Sequence, residues 1–285
     1  MASTLQDLSD RQIVRFSETN PRFAQHLLDA IGNYIDGNCP YYLLFDVLSL
    51  GHRQFKDFLA SMNYSDPASP ATIGAYWDEL KKHNSTYPEL DAALLTRSFE
   101  GPLRLQSLVL DDFLSKSITI SNITLAHGVM THAPENYSIA VNTRDFLANF
   151  IQGHATQYRT PLSTSASAAV AMQFATHADM EDVAPTAFFD ITDNSPANQA
   201  RRLSLLDEVN QIGPNSVQSP ALVHFFRCNN ARGSWLSENA VEQEVLLAKN
   251  HVSTPKYLLQ GPEYFILVSD LRYGPPMSTT PMQRG

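Results

Sequence analysis

The spacing of the apolar residues changes its period near Ser117, and this change constrains the fold more than any other feature of the chain. Earlier in the chain the period is helical: Leu27, Leu28 and Ile31 follow the helix-start signal Asn20–Pro21 at helical spacing. From Ser117 onward the residues SITISNITLAHGV alternate and are rich in β-branched side chains, which is typical of a half-buried strand. The sequence therefore predicts an α+β protein that begins with a helical region.

The same two patterns predict the remaining elements. Further helices are expected at 41–50, 53–62, 71–83, 89–96 and 103–115, after Arg144 and after Ser165; further strands are expected at 186–192, 221–228, 244–247 and 264–270, around a polar stretch at 193–220. The predicted division is a helical N-terminal region at 1–95, an α+β domain at 96–272 and a disordered tail at 273–285.

Composition narrows the classes of partner. The formal net charge of −9 disfavours a nucleic-acid partner, since phosphate binding depends on clustered Lys and Arg. Two cysteines, Cys39 and Cys228, are too few for a disulfide framework or a metal motif. The first twenty residues hold no apolar run, and no stretch approaches the length of a membrane span. We therefore expect a monomeric, cytoplasmic protein, or one delivered by a route without a cleaved signal.

The stretch VEQEVLL at 241–247 carries the first candidate chemistry. Side chains alternate faces along a strand, so Glu242 and Glu244 are expected to point to one face while Val245 and Leu247 point to the other. Two neighbouring carboxylates can serve as a base and as an electrostatic stabiliser. The alternative is that both glutamates lie on a solvated strand face.

The stretch PLSTSASAAVAMQFA at 161–175 carries the second. It predicts the end of a strand, a turn at Ser163–Thr164–Ser165, and a helix whose Ala171 and Phe174 could face a core. In the alternative interpretation Ser165 or Ser167 simply caps the helix by accepting from free backbone N–H groups.

These two motifs, in this order, resemble those of mono-ADP-ribosyltransferases of the Arg–Ser–Glu type, over roughly 95–270. The resemblance implies a split β-sandwich that holds NAD in its cleft and uses no metal. It implies that Glu244 is catalytic and contacts the 2′-hydroxyl of the nicotinamide ribose, and that Glu242 positions or deprotonates the acceptor. By the same resemblance Ser163 hydrogen-bonds Glu244, and Ser163, Thr164 and Ser165 support the NAD pocket.

The first motif of the family departs in this chain. Where the family has an aromatic residue, Arg and Gly, the chain reads LAHG, so the resemblance places His127 and Gly128 against NAD. The diphtheria-toxin-like branch uses a His there, but pairs it with two tyrosines. A neutral imidazole lacks the fixed charge of a guanidinium. Another cation could compensate; the candidates are Arg97, Arg104, Arg144 and Arg159.

Trp235 lies seven residues before Glu242, in the segment that recognises the target protein in the family. An exposed aromatic side chain there would be a recognition anchor, and the alternative is a tryptophan that packs on the strand below. His154, His224 and His251 show no metal-ligand spacing, and we interpret them as structural or solvated.

The resemblance implies transfer of ADP-ribose from NAD to a side chain of a target protein, as in secreted bacterial effectors that act in the cytosol of a host cell. Glu242 favours an arginine acceptor, whereas the His–Ser–Glu set resembles effectors that modify a threonine of ubiquitin, which makes a Thr or Ser hydroxyl the second candidate. Two alternatives stay open: an NAD glycohydrolase that uses water as acceptor, and a catalytically silent module that binds NAD or a partner.

Overall fold

A computed structural model describes residues 2–35, 71, 102–129, 137–176, 184–212, 220–236 and 243–274. The helices predicted at 41–50, 53–62 and 89–96, nearly all of the one at 71–83, the boundary at 95/96 and most of the tail lie outside the described residues. The division into domains therefore stays a prediction.

Six helices and ten strands make up the described part of the chain. In chain order they are α1 (Ala2–Thr19), α2 (Ala24–Ile35), α3 (Pro102–Ser115), β1 (Thr119–Ile120), β2 (Ile123–Val129), α4 (Tyr137–Ile151), β3 (Thr156–Tyr158), β4 (Leu162–Ser165), α5 (Ala168–Thr176), β5 (Ala187–Asp190), α6 (Pro196–Asn210), β6 (Ala221–Cys228), β7 (Ala231–Trp235), β8 (Glu244–Leu247), β9 (His251–Gln260) and β10 (Tyr264–Tyr273). The α+β prediction is confirmed.

All ten strands belong to one mixed sheet. Its order is β1-β7-β8-β4-β2-β6-β10-β9-β3, and β5 also pairs with β9. Strands β6 and β10 run parallel, and the other neighbours are antiparallel. The three strands that carry the sequence motifs, β8, β4 and β2, are therefore adjacent near the middle of the sheet.

The two edges of β2 are paired very differently. Toward β6 the ladder is continuous from Ile123–Cys228 to Val129–Leu222. Toward β4 the only residue pair is Ala126 with Ser165. We call these edges the closed seam and the open seam. Since β4 pairs with β8 along its whole length, the open seam is the sparsely paired edge of β4 within the described residues.

Two segments differ from their predictions for identifiable reasons. The single strand expected after Ser117 is interrupted between β1 and β2, where Asn122 has a φ of 61°, a left-handed conformation that asparagine tolerates. The polar stretch 193–220 contains α6, which has Ser195 as its N-cap and Pro196 in its first turn. That start signal was present in the sequence.

Strands β3, β7 and β9 were not predicted. Strand β3 is only three residues long, and β9 contains Pro255, a residue that usually demotes a strand prediction. At Pro255 the ladder with β10 shifts register, which lets the proline occupy the strand.

Helix α5 packs closely on the closed seam. Ala126 of β2, Ala171 and Ala175 of α5 and Val223 of β6 form one buried cluster. The expectation that Ala171 faces a core is confirmed, since it is 2% exposed. The same expectation for Phe174 was wrong, because its side chain is 51% exposed on the outer face of the helix.

Candidate active site

Ser163 is the residue at which the sequence motifs meet. Its Oγ donates a hydrogen bond of 2.6 Å to Oε1 of Glu244 on β8. Its backbone oxygen lies 2.7 Å from Nδ1 of His127 on β2. Ser163 of β4 thus contacts both strands that carry the other two motifs, β8 and β2. The Ser163–Glu244 hydrogen bond that the resemblance implied is present.

Glu244 begins β8 directly after a backbone turn. Gln243 has a φ of 46°, in the left-handed region that non-glycine residues rarely adopt, and its carbonyl accepts from the backbone N–H of Ala166 at 3.0 Å. Glu242 lies outside the described residues, so the expectation from strand alternation that Glu242 and Glu244 share a face stays a prediction.

The protonation state of His127 follows from its hydrogen bond. A carbonyl oxygen can only accept, so Nδ1 carries the proton that is donated to Ser163. Burial lowers the pKa of His127, and the ring is neutral at physiological pH. In that tautomer Nε2 is an acceptor, and within the described residues it makes no hydrogen bond.

A second buried histidine stands directly across the closed seam. His224 of β6 pairs with His127, which places both side chains on one face of the sheet. Its Nε2 lies 2.8 Å from Ser269 Oγ and its Nδ1 lies 3.3 Å from Tyr158 Oη. Burial, with a smaller contribution from His127, holds the pKa of His224 well below its ordinary value. Sequence reasoning called His224 structural or solvated, and it is structural.

The hydroxyls after Ser163 are engaged by the protein. Thr164 is buried and its Oγ1 donates to the backbone oxygen of Val245 at 2.6 Å, so it ties β4 to β8. Ser165 Oγ accepts from the backbone N–H of Ser167 at 3.0 Å, and Ser167 Oγ accepts from that of Val170 at 3.4 Å. The helix-capping alternative thus describes these serines, and the predicted NAD contacts of Thr164 and Ser165 stay untested.

Gly128 is required by packing. A Cβ at this position would lie 2.0 Å from the backbone oxygen of Ala171 and 3.0 Å from the backbone nitrogen of Ala175. The absence of a side chain therefore lets α5 approach β2, whether or not Gly128 also contacts a ligand.

Trp235 is packed rather than exposed. It ends β7, is 5% exposed and belongs to a buried cluster with Leu125, Phe226 and Val245. Its backbone N–H donates to Ser9 Oγ at 2.8 Å. The recognition-anchor prediction needed an exposed side chain, so the packing alternative holds here.

The arginines proposed to compensate for the missing family arginine differ in position and in ion pairing. Arg144 on α4 pairs with Asp145 at 3.1 Å, Arg104 lies on α3, and Arg97 lies outside the described residues. Arg159 lies between β3 and β4, four residues before Ser163; its side chain is exposed and has no ion pair with the described residues.

Within the described ranges no group of three or more His, Cys, Asp or Glu residues could hold a metal ion. His251 is occupied by backbone groups: its Nδ1 donates to Ala248 O and its Nε2 accepts from the N–H of Arg232. None of the described helices is both long and apolar enough to cross a membrane.

Comparisons with solved structures find similar proteins of one class. The Vis toxin, an ADP-ribosyltransferase from Vibrio splendidus, is 11% identical over 98% of this chain and 86% of that chain, with a TM-score of 0.46. HopU1, an ADP-ribosyltransferase of Pseudomonas syringae pv. tomato, is 12% identical over 60% and 54%, with a TM-score of 0.32. C3stau2 from S. aureus, solved with NAD, is 10% identical over 96% and 95%, with a TM-score of 0.43.

A scan against models of protein families finds no match, and a search of curated proteins finds none. The Vis toxin and HopU1 are ADP-ribosyltransferases, the kind of enzyme that the sequence motifs resemble. Because the identities and TM-scores are low, the proposals below depend on the chain's own residues.

Proposed function

We propose that this chain is a NAD-dependent mono-ADP-ribosyltransferase that modifies a side chain of a target protein. The observation that carries the proposal is the position of Ser163, whose hydroxyl holds Glu244 and whose carbonyl holds His127. Strands far apart in the sequence supply these groups, and they meet beside the sparsely paired open seam.

Glu244 has the chemistry that cleavage of NAD requires. When nicotinamide leaves, the ribose becomes oxocarbenium-like, and a nearby carboxylate stabilises that positive charge in the transition state. The hydrogen bond from Ser163 fixes the orientation of the carboxylate before the substrate arrives. Gln243 directly precedes β8, and its left-handed backbone fixes the point at which the strand, and with it Glu244, begins.

His127 has a different role from the arginine it replaces. With Nδ1–H committed to Ser163, its neutral ring can only accept at Nε2. It therefore suits a ribose hydroxyl or the carboxamide N–H of nicotinamide, and not a phosphate oxygen, which needs a donor. We assign the pyrophosphate charge to Arg159, because it lies close to Ser163 in the chain and has no ion pair within the described residues.

The acceptor is proposed from Glu242. By resemblance a glutamate at that position serves an arginine side chain, since a nearby base lowers the protonation of a guanidinium as it attacks. A threonine or serine hydroxyl, as on ubiquitin, is the second candidate. We propose a host-cell protein as the target.

The test uses the full chain with NAD biotinylated on the adenosine side. Nicotinamide release and biotin transfer are both measured, with a eukaryotic lysate as the source of acceptor. Glu244→Gln should lower nicotinamide release on the order of 10²–10³-fold, because it removes the stabilising charge. Glu263→Gln, an exposed glutamate outside the site, is the matched control and should leave release unchanged.

A labelled protein band that disappears in Glu244→Gln would support transfer. Nicotinamide release without any labelled protein would mean that water is the acceptor and would overturn transfer in favour of the glycohydrolase. Absence of both would overturn enzymatic function. Agmatine and purified ubiquitin, added separately, distinguish guanidinium from hydroxyl acceptors.

A further inference from the structure

A groove of about 540 Å³ lies between α1 and the end of α3, away from the strands that carry Ser163 and Glu244. We call it the α1–α3 groove. Its lining residues are Leu8, Arg11, Gln12, Arg15, Phe16, Thr19, Asn20, Asp112, Phe113, Lys116, Ser117 and Ile118. They combine an apolar floor with a positively charged rim.

The walls of the groove are held in place by hydrogen bonds. Gln12 bridges them: its Oε1 accepts from the backbone N–H of Ile118 at 3.1 Å, and its Nε2 donates to the backbone oxygen of Lys116 at 3.2 Å. On its other side α1 is tied to β7 through Ser9 and Trp235. The groove is therefore preformed, so a ligand would not have to order it.

The rim carries positive charge that the protein leaves unmatched. Arg11 and Arg15 lie one helical turn apart on α1 and both are exposed. Neither guanidinium makes an ion pair or hydrogen bond with any described residue. Lys116, in contrast, is paired with Asp112 at 2.6 Å. Both guanidinium groups are therefore available to an acidic ligand at the rim of this groove.

The apolar floor of the groove is formed by the partly exposed side chains of Phe16 and Ile118. Phe113, which is 1% exposed, supports Phe16 from below, edge to face with ring centroids 5.7 Å apart. Leu8, which is 43% exposed, extends this apolar surface at one end of the groove. A ligand that fits must therefore present apolar groups downward and acidic groups toward α1.

We propose that the α1–α3 groove binds an acidic, partly apolar peptide segment of a partner protein. From Leu8 to Thr19 the helical wall is roughly 16 Å long, at a rise of about 1.5 Å per residue. An extended peptide of about five residues covers that length at about 3.3 Å per residue. Alternating acidic and apolar residues would point carboxylates at Arg11 and Arg15 and apolar side chains at Leu8 and Phe16.

The length of the α1 wall, roughly 16 Å, favours a peptide over a compact anion. A free phosphate or mononucleotide would contact one or two of the cations and leave much of the apolar floor uncovered. The proposal does not depend on the proposed function, because none of the lining residues belongs to the candidate active site.

The experiment measures binding to the full chain by fluorescence anisotropy. The probe is a short fluorescein-labelled peptide of alternating Glu and Leu, compared with the same peptide carrying Gln or Lys in place of Glu. The double variant Arg11→Gln/Arg15→Gln should weaken binding of the Glu probe on the order of tenfold at low salt. It removes two exposed charge pairs, and each pair contributes several-fold to the affinity. Leu8→Ser should weaken it by a smaller factor.

Arg22→Gln is the matched control. Arg22 is exposed, does not line the groove and has no ion pair among the described residues, so the same loss of charge should change Kd less than twofold. The proposal is overturned if all three peptides bind equally, if Arg22→Gln weakens binding as much as the double variant, or if AMP or a short DNA duplex binds through Arg11 and Arg15 as tightly as the peptide. Circular dichroism of each variant shows whether α1 is intact.

Discussion

The two seams of β2 differ in how completely their polar groups are satisfied. On the closed seam, His224 lies within hydrogen-bonding distance of protein partners on both ring nitrogens, Ser269 and Tyr158, and is buried. On the open seam, His127 uses one ring nitrogen and keeps the other as an acceptor within the described residues. Two histidines on adjacent strands thus have nearly opposite chemical availability.

The difference in pairing between the two seams indicates which side of β2 has side chains available to a substrate. A continuous ladder leaves neither backbone groups nor space for a substrate, and its side chains become part of the core. At a seam joined by a single residue pair, a side chain can bond across to the backbone of the next strand, as His127 does to Ser163. The catalytic candidate Ser163 lies on the open seam and holds Glu244 of the next strand, whereas α5 packs on β2 and β6 at the closed seam.

The largest effect is expected from a methyl group added where α5 meets β2. In Gly128→Ala the new Cβ would lie 2.0 Å from a backbone oxygen, which cannot move without displacing the helix. We expect a loss of more than about 4 kcal/mol in the free energy of unfolding, measured by urea denaturation.

Gly32→Ala is the control for that change. No atom lies within 4 Å of the added Cβ at this helical position, so the variant should be equally stable or more stable by up to about 1 kcal/mol. Equal urea midpoints for Gly128→Ala and the wild type would show that α5 does not seal the closed seam as described.

A smaller effect is expected from pH, through a histidine that the fold keeps neutral. Burial lowers the pKa of His251 to about 4 in the folded protein, against an ordinary value of 6.5 in the unfolded chain. The unfolded chain therefore binds more protons between these values, and stability falls as the pH drops from about 6.5 to about 4, by up to about 3 kcal/mol.

Urea denaturation at several pH values measures this loss, and His251→Gln should reduce its slope. His251 is the appropriate probe because both ring nitrogens are bonded to backbone groups, Ala248 O and Arg232 N, away from the open seam. An unchanged slope in the variant would mean that His251 does not titrate differently in the two states.

The acceptor role of His127 predicts a pH dependence of NAD cleavage. Because burial lowers its pKa, activity should fall only below pH 6.5, as Nε2 becomes protonated and ceases to accept. His127→Leu should lower kcat/KM about tenfold, the value of one hydrogen bond. His127→Gln, whose side chain can still donate and accept, should retain most activity and lose this acid limb. An acid limb that persists in His127→Gln would assign it to another group.

Much of the fold could be predicted from the sequence because its periodicity is strong. The predicted strand at 221–228 matches β6, 244–247 matches β8, and 103–115 nearly matches α3. Strand β9 could not be predicted, since its proline is accommodated by a register shift that depends on the neighbouring strand. The capping signal of α6 was available in Ser195–Pro196.

The site was predictable in its residues more than in its geometry. The motifs indicated Ser163 and Glu244, which the structure joins by a hydrogen bond. The left-handed backbone at Gln243 gave no sequence signal, because glutamine is not a residue that favours positive φ. The partner of His127 also could not be read from the chain, since the hydrogen bond runs to a backbone oxygen on another strand.

The most direct test of the account compares two serines, one on a strand of the open seam and one that supports a histidine of the closed seam. Ser163 of β4 donates to Glu244 of β8, and Ser269 of β10 bonds to His224 of β6. Nicotinamide release from NAD and urea denaturation are measured for Ser163→Ala and Ser269→Ala.

The account predicts that Ser163→Ala lowers kcat several-fold to about tenfold with little change in stability. It predicts that Ser269→Ala leaves kcat within about twofold and lowers the free energy of unfolding by about 1–3 kcal/mol, because a buried ring nitrogen of His224 loses its partner. An unchanged kcat in Ser163→Ala, or an equal loss of kcat in Ser269→Ala, would contradict the claim that the open seam is the catalytic site.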